Sequence, residues 1–106
     1  MAFGDTELKP TEKVELFSRF YVLSNNGANA ASIFQHGLPN NTGYSDFSDL
    51  AVRINEGNPL VGILEMTGMF SQFDVAAMRV GENGGNLNSV FKDLANHYAT
   101  IVGLGL

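Results

Sequence analysis

Apolar residues in this chain recur at helical spacing and almost never in sustained alternation, a pattern that limits the fold more than any other feature of the sequence. The clearest case lies near the end, where Leu87, Val90, Phe91, Leu94, Tyr98 and Ile101 form one unbroken stripe. No segment shows the period of two that a half-buried strand requires, so the class is all-α. Turn residues divide the pattern into about six short helices, and short connections between helices predict an antiparallel bundle.

The punctuation places the helices. The first runs from Pro10 to Asn26, because Pro suits the first helical position and Asn26-Gly27 suits the exit. A second spans Ala28 to His36 and ends in a loop from Gly37 to Gly43 that holds two glycines and a proline. Ser45 caps a third, whose Phe47, Leu50, Ala51 and Ile54 share a face and which stops at Gly57. Asn58-Pro59 launches a short fourth helix through Ile63 and Leu64 toward Thr67, closed by Gly68. A fifth begins near Ser71, carries Phe73, Ala76, Ala77 and Val80 on one apolar face, and ends before Gly81. Asn86 is positioned to cap the sixth.

The first helix has two apolar stripes, Val14/Phe17/Tyr21 and Leu16/Phe20/Leu23. Either the helix is central and packed on both sides, or the Leu16/Phe20 stripe is a surface for a partner or a second copy.

Length and composition bound the function. A chain of 106 residues with a 44% hydrophobic fraction makes one folded domain, residues 1–106, and leaves no room for a catalytic domain plus an accessory one. A net charge of -5, with only six scattered basic residues, argues against nucleic acid and against a polybasic contact with anionic lipid. The absence of cysteine excludes disulfides and thiolate chemistry. The opening residues lack the basic and apolar regions of a secretory signal, which predicts a cytoplasmic start. No apolar run reaches the ~20 residues of a membrane span.

A search for catalytic, cofactor-binding or metal-ligating constellations yields none. His36 and His97 fall in no metal-binding frame, and His97 reads as a solvent-facing helix residue. No serine sits in a nucleophile elbow. The glycine-rich stretch Gly81-Glu82-Asn83-Gly84-Gly85-Asn86-Leu87 precedes a helix, where backbone N–H groups can hold an anion. It lacks the Lys-Ser or Lys-Thr of a Walker loop, the preceding strand of a dinucleotide loop and the alternating acids of an EF-hand. Glu82 there has three readings: a cap on the last helix, a pair with Arg79, or an oxygen ligand to a cation shared with a partner.

Four motifs in order carry a resemblance. Phe17-x-Arg19-Phe20 precedes Asn26-Gly27; Ile54-x-x-Gly57-Asn58-Pro59-Leu60-x-x-Ile63-Leu64 follows, then Phe70; Gly81-Glu82-x-x-Gly85-x-Leu87 comes next, then Leu94-Ala95-x-x-Tyr98. Across about residues 14–98 the sequence resembles the GspF/PilC family of bacterial inner-membrane platform proteins, which serve type IV pilus assembly and type II secretion. The small type IVb pilus members are the most similar in kind. The resemblance implies a cytoplasmic, non-catalytic scaffold domain that links a hexameric assembly ATPase to pilin extraction, alongside other inner-membrane assembly components. It also implies an inner-membrane location, with this domain on the cytoplasmic side and the membrane reached only through transmembrane segments downstream of this chain.

Under that resemblance Phe17, Gly27, Gly57, Pro59, Gly81, Gly85 and Leu87 are motif residues with structural roles. Arg19, Arg79 and Glu82, with Leu16 and Phe20, are the candidate partner contacts, and a homodimer is possible within the same scheme. The bland alternative for the charged residues is pairing within the chain, such as Glu15 with Arg19 at i+4. A different function class also fits the residues: a free-standing helical regulatory protein that holds a partner helix in a groove lined by Met66, Met69, Met78 and nearby phenylalanines.

Overall fold

The computed structural model describes residues 7–30, 32–33, 52–54, 56–57 and 59–103. Helix α1 spans Pro10–Asn25. Proline needs no N–H partner at its first position, and the Lys9 N–H is satisfied by the Glu12 carboxylate at 2.8 Å. Its exit is a Schellman turn, with Ala28 N–H on the Leu23 carbonyl and Gly27 N–H on Ser24. That turn needs a positive φ, and Gly27 supplies it at 88°. Residues 32–33 and 52–54 are helical where the second and third helices are predicted, with Ile33 and Ile54 buried and Gly57 following at φ 99°. The loop from Gly37 to Gly43, the Ser45 cap and Phe47, Leu50 and Ala51 lie outside the described residues, as does His36.

Helix α2 spans Leu60–Met66, with Pro59 at the N-cap position, one residue later than the spacing of Asn58-Pro59 predicts. Helix α3 spans Gln72–Gly84 and helix α4 spans Leu87–Ile101. No strand occurs among the described residues, so the class is all-α. Neighbours run antiparallel: α1 meets α4 through Phe17 with Tyr98 and Phe20 with Phe91, and α3 meets α4 through Phe73 with His97.

An aromatic cluster occupies the centre. Phe17 lies 5.6 Å from Phe70, 6.4 Å from Phe91 and 6.2 Å from Tyr98, ring centroid to centroid, and Phe20 lies 5.1 Å from Phe91. Each buried aromatic is worth roughly 1.5–3 kcal/mol by area, and each such ring pair about 0.5–1.5 kcal/mol more. Leu16 and Phe20 belong to this core at 1% and 0% exposure, which corrects their reading as a partner surface. Helix α1 packs along α4, and both of its stripes reach the core, with Leu16, Phe17 and Phe20 buried and Val14, Tyr21 and Leu23 partly buried.

The packed face of α3 also differs from the sequence expectation. Asp74, Val75, Met78 and Gly81 point inward, while Phe73, Ala76 and Val80 point out. A count of apolar residues misphases this helix because two of its four inward positions are an aspartate and a glycine. The helix also continues three residues past Gly81, to Gly84. Ile101 ends the predicted α4 stripe on the surface, at 55% exposure.

Candidate functional site

Gly81, Glu82, Gly85 and Leu87 sit where three helices join. Gly81 is packed against α4: a Cβ there would stand 2.5 Å from Val90 Cγ2 and 3.2 Å from the Leu87 backbone, so any side chain would force the helices apart. Gly85 ends α3 at φ 74° in a second Schellman turn, with Asn86 N–H on the Gly81 carbonyl and Gly85 N–H on Glu82. Leu87, the first residue of α4, packs partly buried against the core. Asn86 holds the N-cap position of α4 without a side-chain hydrogen bond.

Glu82 caps a helix, but not the one expected. Its Oε2 accepts the Val61 N–H at 3.2 Å, so the carboxylate sits on the start of α2 rather than of α4. The chain leaves α3 through Gly85 and turns away, whereas the antiparallel α2 brings its free N–H groups alongside Glu82. Arg79, one turn earlier, reaches the same helix and donates to Glu65 at 2.5 Å on the surface. Glu82 and Arg79 therefore engage α2 side by side rather than each other. Arg19 pairs with Glu15 at 3.5 Å across i, i+4, as its spacing predicts.

Beneath the α1–α3–α4 contact lies a buried polar cluster that the sequence reading missed. Lys13 Nζ is 2.7 Å from Asp74 Oδ2, 2.8 Å from Glu7 Oε2 and 3.4 Å from the Tyr98 hydroxyl. Tyr98 in turn donates to Asp74 Oδ1 at 2.5 Å. Asp74 also accepts the Ser71 N–H at 3.0 Å while Ser71 Oγ accepts the Asp74 N–H at 3.1 Å, which makes the start of α3 a capping box. Lys13 and Asp74 are both buried, and among the described residues no buried side-chain nitrogen or oxygen lacks a partner. Burial alone would lower the Lys13 ammonium, but its bonds to Asp74 and Glu7 and the Asp74 charge outweigh it and push it up to about 12. Burial, then the bond to Asp74, raises the Tyr98 hydroxyl above its ordinary value. A protonated ammonium holds no lone pair and the carboxylate is fully engaged, and the cluster joins α1, α3 and α4 through side-chain bonds.

The signals for the cluster were present in part. Ser71-x-x-Asp74 has capping-box spacing, and Tyr98 belongs to the last motif. Nothing local marks Lys13 as their partner.

The outward side of α3 is the other distinctive feature. Phe73, Ala76, Val80 and Asn83 succeed one another along it, all exposed and none charged, with Phe73 at 56% and Val80 at 72%. The Phe73 ring meets the exposed His97 imidazole at 5.1 Å, which extends the face onto α4. Along its edge runs a depression of about 270 Å³ lined by Glu65, Phe70, Gln72, Val75, Ala76 and Arg79. Met69 and Met78 are buried in the core and only Met66 is exposed, so a methionine-lined groove is not formed. Among the described residues no three His, Asp or Glu side chains converge as metal ligands. No helix among them is long and apolar enough to cross a membrane.

Compared with family models, curated proteins and solved structures, the chain has no significant match. The resemblance to the GspF/PilC family rests on the motif residues.

Proposed function

We propose that this domain is a non-catalytic scaffold that couples an assembly ATPase to pilin extraction in a type IV pilus or type II secretion platform, and that it meets its protein partner through the outward face of α3. The observation that carries the reading is the exposed Phe73–Ala76–Val80 face. A helix side turned to water ordinarily carries charge, and this one presents two large apolar groups next to a depression rimmed by Arg79. An apolar centre with an arginine at its edge is the composition of a protein contact.

Behind that face α3 is joined to each of its neighbouring helices, which suits a coupling element. Arg79 and Glu82 fasten α3 to α2, Gly81 seats it on α4, and Asp74 ties it to α1 through Lys13. The family assignment is supported by the motif order, and each signature residue from Gly81 to Leu87 has a distinct physical task in the helix junction. On this reading the domain sits on the cytoplasmic side of the inner membrane.

A photoreactive amino acid in place of Ala76, introduced in cells that make the protein, should cross-link the assembly ATPase. Cross-links that form only to unrelated proteins contradict the proposal. The exposed face equally suits a regulatory protein that binds an apolar partner helix, and in that case the trapped protein is not part of a pilus or secretion machine.

A further inference from the structure

The segment that leads into α1 is tied down in an unusual way. Residues 7–9 have no regular structure, yet Leu8 N–H donates to the Met69 carbonyl at 3.0 Å and Glu7 reaches Lys13 at 2.8 Å. The Leu8 side chain packs, partly buried, against the core. Glu7 itself is half exposed, whereas the bonds of Lys13 to Asp74 and Tyr98 lie beneath it and are buried. Lifting Glu7 and Leu8 would therefore leave the buried ammonium with two of its three partners.

We propose that Glu7 and Leu8 form a strap that opens independently of the helical core, and that the seat beneath it takes a second extended segment of the same chemistry, an acidic residue followed by an apolar one. Among the described residues the ties of Glu7 and Leu8 are few, namely one backbone hydrogen bond, one half-exposed ion pair and one partly buried leucine, whereas Lys9 is held by Glu12 and the first turn of α1 and serves as the hinge. Interactions of that size permit local opening well below global unfolding. The uncovered seat has three features in a row, namely the third ammonium proton of Lys13, the free Met69 carbonyl and the apolar patch under Leu8. A carboxylate, a backbone N–H and an aliphatic side chain from one extended dipeptide satisfy all three, as Glu7-Leu8 does in the closed state. The strap thus occupies a site for acidic–apolar segments of a partner.

Native-state hydrogen exchange on the whole chain tests the opening. The Leu8 amide should exchange far faster than the Phe91 amide and stay insensitive to low urea, and Glu7→Gln should speed it roughly two- to fivefold with Phe91 unchanged. A Leu8 amide that follows Phe91 in its urea dependence, or is indifferent to Glu7→Gln, overturns the strap. For the seat, the capped peptide acetyl-Glu-Leu-Lys-amide at about millimolar concentration should shift the Met69, Phe70 and Ser71 amides in NMR spectra. The shifts should saturate at lower peptide concentration in the Glu7→Gln/Leu8→Ala variant than in the wild type. Absence of shifts in that variant, or equal affinity in both proteins, overturns the seat.

Discussion

Asp74 and Tyr98, on neighbouring helices, share a 2.5 Å hydrogen bond on which Lys13 of a third helix closes at 2.7 Å. One carboxylate therefore fixes the relative positions of α1, α3 and α4 while also capping α3. A buried charge with every bond made is weak evidence for stability and better evidence for register.

That distinction has a measurable form. Lys13→Met alone strands the Asp74 carboxylate, and Asp74→Leu alone leaves Lys13 only the half-exposed Glu7 as an anionic partner and removes the capping box of α3; each should cost about 3–5 kcal/mol in urea unfolding. The double variant should recover most of that loss, since it strands neither charge. Additive losses would show that the pair supplies net stability rather than register.

The same cluster dictates how the fold responds to alkali. The folded pKa of Lys13 is raised, so its stabilisation is complete below the ordinary value of 10.5 and is lost as pH climbs through about 12. Tyr98 is raised as well, and its deprotonation beside Asp74 acts in the same direction. Urea midpoints should fall steeply above pH 10.5, and the Lys13→Met/Asp74→Leu variant should show a shallower fall. Identical pH profiles for the two proteins would remove the cluster from the explanation.

Glycine positions separate close packing from mere helix weakness. Gly81→Ala places a methyl against Val90 and the Leu87 backbone and should destabilise by about 1–3 kcal/mol. Gly62, inside α2, has open space where its Cβ would stand, so Gly62→Ala should stabilise by about 0.5–1 kcal/mol. Thermal melts of the two variants should move in opposite directions.

Loss of the cap on α2 is the subject of a fourth test. Glu82→Ala removes the acceptor of the Val61 N–H and should cost about 1 kcal/mol, with faster exchange of that amide. If Glu82 instead acted on α4, the Leu87–Val90 amides would respond and Val61 would not.

Two pairs of apolar residues should behave in contrasting ways. Leu16→Ser with Phe20→Ser empties two core positions and should unfold the domain, because losses of about 3–5 kcal/mol each approach the whole stability of a domain this size. Phe73→Ser with Val80→Ser alters exposed positions and should leave the melting curve within roughly 0.5 kcal/mol of wild type. Circular dichroism distinguishes the two outcomes directly.

Local chemistry made the helix ends readable. Pro10, Gly27, Gly57 and Ser71 each mark a boundary through φ preference or capping, and those preferences act within a few residues, whereas the end of α3 falls at Gly84 and not before Gly81. The Arg19–Glu15 pair was readable for the same reason. What escaped the sequence depends on distant partners. The phase of α3 follows from Asp74 meeting Lys13 and from Gly81 meeting Val90, and neither residue counts as apolar. The target of Glu82 was hidden likewise, since Val61 reaches it only through the antiparallel packing of α2. The outward placement of Phe73 and Val80, on which the functional reading rests, is a consequence of that phase.

Calorimetric titration of this domain with the N-terminal region of the assembly ATPase tests the central claim most directly. Saturable binding that weakens at least tenfold in the folded Phe73→Ser/Val80→Ser variant is the predicted result. No binding by the wild-type domain, or equal binding by both proteins, would contradict it.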